Sequence, residues 1–320
     1  MSTIKMPRAV PLFLFAGAIG ALVVVPTFGQ THPALHRRFI VGAYLPEYRV
    51  AELQRSQLDS ITDLYYFSAQ PSVSGQLDTA SLEAVGMDKL VQLRQWTAVR
   101  HVKLWITVGG ADRSAGFFPV AADPQLRARF IKNLVEFCVK YQLDGVDFDW
   151  EQPEKPADIA HYTALISETQ AAFRPHSWKV AATIPDAPEL APAVAGADEV
   201  HLMSYDHDGQ HSTLSGAQSD AALMLKGGVP GSKLVLGIPF YGRDTRHFDV
   251  DMTYNTIVKQ YNPGPSVDEV HHMYFNGRAT VAAKVHYAKK QGFAGVMVWE
   301  LGQDTLNGTS LIKAAAAAAK

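Results

Sequence analysis

The chain has 320 residues, 47% of them hydrophobic, with 29 Lys and Arg against 31 Asp and Glu and a net charge of −2. That length suits one large domain or two ordinary ones and buries a sizeable core. The near-neutral balance, with basic residues scattered rather than clustered, argues against a nucleic-acid partner.

At the N-terminus, Lys5 and Arg8 precede an apolar run over residues 9–25, and Pro26-Thr27-Phe28-Gly29-Gln30 follows. This order is that of an export signal over residues 1–29, cleaved near Gly29. At about 17 residues, the apolar run would otherwise serve as an anchor at the short limit of spanning. Cleavage leaves an exported protein with no stable membrane association. No Cys directly follows the run, which argues against a lipid anchor. The one cysteine, Cys138, sits among Phe130, Leu134 and Phe137, so it reads as a small buried hydrophobe and forms no internal disulfide.

Beyond the signal, apolar β-rich runs cover residues 39–44, 63–68, 102–108, 145–150, 179–184, 199–204, 234–239 and 295–299. Segments of helical spacing lie between them, at 88–99, 124–141, 156–173 and 280–291, and an alanine-rich helix closes the chain at 314–319. Parallel strands separated by helical crossovers predict an α/β fold, a (β/α)8 TIM barrel over residues 39–318. Its active site is expected at the C-terminal strand ends, where Gly109-Gly110, Glu151, Tyr205-Asp206, Arg243 and Trp299 fall.

The fourth run holds the most informative stretch, Asp144-Gly145-Val146-Asp147-Phe148-Asp149-Trp150-Glu151. On a strand, alternate side chains share a face, so Asp147, Asp149 and Glu151 point one way and Val146, Phe148 and Trp150 the other. By the same parity Asp144 points away from the other acids, and its expected work is structural, bonding nearby backbone N–H groups. Carboxylates lined up on one face repel one another, and folding alone does not ask for that. A metal site is the competing reading, but no partner ligands stand at supporting spacing. Close carboxylates cannot all ionise, so a proton is shared or retained among them. Glu151, delivered to the rim of a cleft, then suits a general acid. Glycoside hydrolysis uses such groups most often, usually as two carboxylates on opposite sides of the bond. Here they lie on one side, which favours the exception in which the N-acetyl group of the substrate is the nucleophile.

At this point the chain resembles glycoside hydrolase family 18, the chitinase family. The Asp-x-x-Asp-x-Asp-x-Glu motif is met by Asp144, Asp147, Asp149 and Glu151. The Ser-x-Gly-Gly strand end is similar to Thr107-Val108-Gly109-Gly110, Met-x-Tyr-Asp to Met203-Ser204-Tyr205-Asp206, Gly-x-Pro-x-Tyr-Gly-Arg to residues 237–243, and Gly-x-Met-x-Trp-Glu to residues 295–300. The resemblance implies that Glu151 is acid and then base, that Asp149 orients the acetamido N–H, and that Asp147 shares its proton. Tyr205 would hold the acetamido carbonyl and Trp299 would form the apolar floor under the sugar. Tyr44, Asp206, Tyr241, Arg243, Thr107 and Gly110 complete the expected substrate site. Thr107 stands where the family Ser supports the middle aspartate, and Arg243 is either a donor to a sugar oxygen or the ion-pair partner of Asp206.

Two departures carry expectations of their own. Residues 244–294 number about 50, and less the crossover helix they leave too little chain for the full α+β insertion of some chitinases, which predicts a shallower cleft. After Gly110 many chitinases carry a stacking Trp where this chain has Ala111, a loss of about 1 kcal/mol or more in sugar binding unless Phe117 and Phe118 compensate. No cofactor is expected, and the loop Asp206–His211 reads as a polar rim rather than a metal site. The expected substrate is chitin, soluble chito-oligosaccharide or another N-acetylglucosamine glycan. An endo-N-acetylglucosaminidase, a cell-wall glycan hydrolase and a sugar-binding lectin are the competing readings.

Overall fold

The computed structural model describes residues 38–320 except Gln152 and Glu154; the export signal expected over residues 1–29 lies outside them. Eight parallel strands form the frame: β1 (Ile40–Pro46), β2 (Asp63–Pro71), β3 (Lys103–Gly109), β4 (Gly145–Asp149), β5 (Lys179–Ile184), β6 (Glu199–Leu202), β7 (Leu234–Pro239) and β8 (Gly295–Trp299). Each pairs with its sequence neighbour, and β1 pairs with both β2 and β8, so the sheet closes on itself. The expected TIM barrel is present, and closure leaves no strand edge among these eight.

The crossovers follow local rules. Helix α1 (Asp88–Val99), α2 (Pro124–Tyr141) and α3 (Pro156–Phe173) match their periodic segments. Asp123 caps α2 by accepting from the N–H groups of Gln125 and Leu126, and Pro124 supplies a first turn that needs no donor. The remaining barrel helices are α4 (Ala191–Val194), α5 (Leu214–Lys226), α6 (Arg278–Lys290) and α7 (Leu311–Ala319). The first crossover differs, consisting of two 3-10 turns, Glu47–Glu52 and Arg55–Ser60. Between β7 and β8 the chain builds only a miniature insertion: four short strands in one antiparallel sheet and the helix Tyr254–Tyr261.

Alternation on the strands creates two apolar regions. Val146, Phe148 and Trp150 face outward into the helix layer, where Trp150 stacks on Phe117 with centroids 5.2 Å apart. Burying each such side chain contributes about 1.5–3 kcal/mol. The barrel axis instead holds Tyr44, Tyr65, Trp105, Val235 and Met297. Cys138 is buried in the outer layer, and burial pushes its thiol up to about 12.

One charged group lies wholly inside the outer layer. Lys284 on α6 donates to the Ser212 carbonyl at 2.9 Å and to its hydroxyl at 2.6 Å, and Asn276 donates to the same carbonyl at 2.7 Å. These bonds tie the loop after β6 to α6. Burial lowers the Lys284 pKa to about 7, against the pull of Asp220 and Asp268. An unfolded lysine titrates near about 10.4, so between roughly 7 and 10.4 the unfolded chain binds more protons and stability rises with pH. Lys284→Met is expected to remove that rise; urea midpoints at about pH 7 and pH 9.5 with equal slopes for both proteins would refute it.

Candidate active site

The C-terminal mouth of the barrel opens into a cavity of about 570 Å3 whose lining includes Asp149, Glu151, Tyr205, Asp206, Tyr241, Arg243 and Trp299. With Tyr44, which also lines it, eight of the residues expected from sequence therefore converge on one cleft. Two adjacent glycines shape its wall. Gly109 and Gly110 both have φ +103°, and a Cβ on Gly109 would come 2.2 Å from the Asp149 carbonyl, one on Gly110 2.3 Å from the Phe67 ring. Only glycine fits there.

Asp147 and Asp149 lie on the axial face of β4, fully buried and nearly so. Asp147 accepts from Tyr44 Oη at 2.8 Å, Thr107 Oγ1 at 3.1 Å and Thr183 Oγ1 at 2.8 Å. Three hydroxyls on β1, β3 and β5 thus take the place of water around it. Thr107 is completely buried and works beneath the cleft, as do Asp147 and the main chain of Gly110, whose N–H donates to the Asp149 carbonyl at 2.8 Å. Tyr44 touches the cavity, but its hydroxyl is committed downward to Asp147.

The acids are pushed apart in proton affinity. Burial, then the neighbouring Glu151 and Asp147, hold Asp149 well above the usual carboxylate range, and Asp149 Oδ1 has no hydrogen-bond partner among the described residues. Glu151 is raised by burial and by Asp112 and Asp206, against the backbone N–H of Ala111. Asp206 behaves oppositely. It accepts from Tyr241 Oη at 2.6 Å and from Arg243 Nε and Nη2 at 2.7 and 3.0 Å, and against partial desolvation His211, Arg243 and Tyr241 bring it down to about 2. Of the two roles open to Arg243, the structure shows the ion pair with Asp206.

Asp144 points away from the cleft, as parity requires. Its Oδ2 accepts from the Leu104 N–H at 2.8 Å and from Arg94 Nη1 at 2.7 Å, which pins β4 to β3 and α1. The polar loop also resolves into separate partners. His207 Nε2 lies 3.0 Å from Asp220, which takes the Ser204 hydroxyl as well, whereas His211 is buried beside Asp206. Asp186, His207 and Asp220 do bring ligand atoms within 4.8 Å of one another; the His207–Asp220 contact ties this loop to α5, and Asp186 Oδ2 stands 3.8 Å from His207 Nδ1.

Sequence reading missed Thr183 and His201, which stand under Asp147, and Tyr48, Phe67, Arg113 and Gln303, which line the cleft. Parity carried a signal for His201: it alternates with Met203 and Tyr205, so all belong to the axial side. Arg113 is held by Glu47 at 2.7 Å and packs 5.5 Å over the Phe67 ring, a pairing of two loops that spacing does not reveal.

Buried acids at the mouth of a parallel barrel, with a tyrosine and a tryptophan beside them, match what comparison finds. The sequence profile of glycosyl hydrolases family 18 covers residues 40–304. The chain belongs to this family. It is 26% identical over 292 residues to probable chitinase 2 of Drosophila melanogaster, covering 70% of this chain and 60% of that protein. With chitinase A1 of Niallia circulans it shares 27% identity over 302 residues, 69% of this chain and 43% of that one. The chain thus spans about half the length of these two relatives. A family 18 chitinase of Flavobacterium johnsoniae has a similar crystal structure, with a TM-score of 0.75 and 25% identity over 88% of this chain and 94% of that one.

Replacing Asp144 by alanine is expected to lower stability by about 1.5 kcal/mol, the scale of hydrogen bonds to a charged group, while leaving sugar affinity unchanged. Chemical denaturation beside ligand titration checks this, and an unaltered midpoint would remove Asp144 from its structural role.

Proposed function

We propose that this protein is a retaining glycosidase that hydrolyses β-1,4 bonds of N-acetylglucosamine oligomers, a chitinase using the acetamido group of its substrate as nucleophile. The observation that carries this reading is the unequal fate of the acids around one cavity. Asp149 and Glu151 on one wall are raised in proton affinity by burial and by neighbouring acids, while Asp206 on another is consumed by Arg243 and Tyr241. Asp206 is engaged by its donors, and although Asp186 and Asp251 also line the cavity, this engagement together with membership of the family supports a nucleophile supplied by the substrate.

Each step then falls to a named group. Asp149 hydrogen-bonds the acetamido N–H, and the Tyr205 hydroxyl steadies the acetamido oxygen against the anomeric carbon. That oxygen attacks, the glycosidic bond breaks, and its electron pair takes the proton of Glu151. The ionised Glu151 next removes a proton from water, whose oxygen opens the oxazolinium ring from the original side, giving net retention. Trp299 supplies the apolar floor on which the sugar face rests. Its ring lies 4.9 Å from Phe67 and 5.6 Å from Tyr44, which fix its plane.

Ala111 lines the cleft where many chitinases place a stacking Trp, and this supports soluble oligosaccharide over crystalline polymer as substrate. The charged start, apolar run and small residues before Gln30 support export of the enzyme.

Acetylated chito-oligosaccharides of four to six units, assayed beside a high-mannose glycopeptide, test the reading. The wild type is expected to cut the oligomers with initial retention, and Glu151→Gln to lose at least about 10²–10⁴-fold in turnover while still binding. Inverted product, or equal cleavage of a deacetylated oligomer, would overturn substrate assistance. Cleavage of the glycopeptide alone would move the enzyme to glycan release, and binding without any turnover would make it a lectin.

A further inference from the structure

One polar residue of the cleft has no part in the proposed reaction. Gln303 lines the cavity together with Trp299, which stands four positions earlier in the chain. Its amide oxygen Oε1 is shut off from solvent and has no hydrogen-bond partner among the described residues. Turning the amide over would only put an unpaired N–H in that place. Leaving a sheltered polar group unpaired costs free energy that pairing would recover, so the position calls for a partner.

The backbone that carries this amide is fixed at both ends. Residues Leu301–Gln303 form a 3-10 turn directly after β8. Glu300 caps the turn, its Oε2 accepting the Gly302 N–H at 2.8 Å while its Oε1 lies 3.3 Å from Arg49 Nε. Gln57 Nε2 donates to the Leu301 carbonyl at 3.1 Å, and the Gln303 N–H donates to the Glu300 carbonyl at 3.1 Å. Next in the chain, Asp304 accepts from the N–H groups of Leu311 and Ile312 at 2.8 and 3.0 Å, which ties the far end of the turn to α7. The acids flanking Gln303 thus hold the frame, while its own amide oxygen stays uncommitted. A rigid turn that presents an unspent amide to a cleft is how a site fixes the orientation of its ligand.

The chemistry of the cleft indicates what meets this amide. A sugar hydroxyl both donates and accepts, so it suits either end of the group. The last torsion of a glutamine is broad, so the amide can swing towards an arriving unit. In the proposed reaction the sugar on Trp299 turns its acetamido group to Asp149, and β4 lies opposite β8 in the barrel. Gln303 stands on the β8 side, where its turn packs against the first crossover: a Cβ on Gly302 would lie 3.1 Å from Arg49 Cβ.

We propose that Gln303 is a specificity residue, whose amide binds a hydroxyl of the N-acetylglucosamine unit next to the one on Trp299, on the side of the first crossover. It touches no reacting atom, so it sets how tightly an oligosaccharide is held and not how fast the bond breaks. This inference rests on the proposed substrate.

Binding and turnover together test it. Gln303→Met keeps the length of the side chain and removes both hydrogen-bonding ends. In the Glu151→Gln background, calorimetric titration with the acetylated tetramer is expected to show affinity about tenfold weaker once Gln303→Met is added. Gln303→Ala, which removes the amide by truncation, is expected to show the same loss. N-acetylglucosamine alone, filling only the place on Trp299, binds with and without the substitution alike. In the otherwise wild-type enzyme Gln303→Met raises KM by a similar factor and leaves kcat in place, because the bond is made equally in bound substrate and transition state. The urea midpoint does not fall, since the amide oxygen has no bond to lose. Unchanged tetramer affinity, or a fall in kcat at constant KM, would overturn the proposal. An equal loss with the single sugar would move the contact to the unit on Trp299 and overturn it too, and a lowered urea midpoint would make the residue structural. If the Glu151→Gln protein binds no chito-oligosaccharide, the proposed substrate fails and this inference with it; intact binding there, unaffected by Gln303→Met, strikes this inference alone.

Discussion

The molecule is organised around the burial of carboxylates in the axis of a closed barrel. Bringing a carboxylate into a low-dielectric interior costs several kcal/mol after relaxation, unless hydrogen bonds replace its water, as they do at Asp147. No single strand supplies them. Tyr44 comes from β1, Thr107 from β3 and Thr183 from β5, so the site exists only when strands on both sides of β4 hold their register. That register pairs Thr107 with Asp147 and Thr183 with Asp149. A slip of one residue would turn the acids into the helix layer and Phe148 into the axis. Fold and site are thus specified by the same pairing.

Above this buried base, the cleft separates its acids by surroundings rather than by residue type. Asp206 and Asp149 are both aspartates of one cavity, yet one sits near about 2 and the other far above the usual range. Asp149 is almost wholly buried and Asp206 is partly exposed, and their donors differ as well. Asp206 has a guanidinium and a phenol, whereas Asp149 has a free oxygen and two acidic neighbours. Such divergence within hydrogen-bonding reach of a shared substrate is what acid–base chemistry requires.

Much of this was legible in sequence because strand parity is a hard rule. Alternation correctly assigned Asp147, Asp149 and Glu151 to one face and Trp150 to the other, and the β-rich runs located all eight barrel strands. The first crossover was not legible: the stretch from Glu47 to Ser60 forms 3-10 turns that carry no 3.6-residue signal. Nor was the understructure of the site. Thr183 and His201 stand in no motif, and their importance arises from Tyr44, which is over a hundred positions away in the chain. Only the closure of β1 onto β8 and β2 brings Tyr44 across the axis to meet them.

The spacing of the acidic motif itself follows from one strand serving three surroundings. Asp144 precedes β4 and binds the Leu104 N–H, fixing where that strand begins relative to β3. Asp147 and Asp149 occupy the next axial positions, the deeper wrapped in hydroxyls and the shallower left with an open oxygen towards the cleft. Glu151 comes one step later, past the end of β4, where it is half-buried and lines the cleft. Between them Val146, Phe148 and Trp150 anchor the opposite face against Phe117, Phe130 and Tyr162. Those aromatic contacts hold β4 at a fixed depth, so the acids keep graded exposures. Depth sets desolvation, and desolvation is the largest cause of the raised proton affinity of both Asp149 and Glu151. The aromatic residues of the motif therefore act on the chemistry indirectly, by fixing how far each acid stands from water.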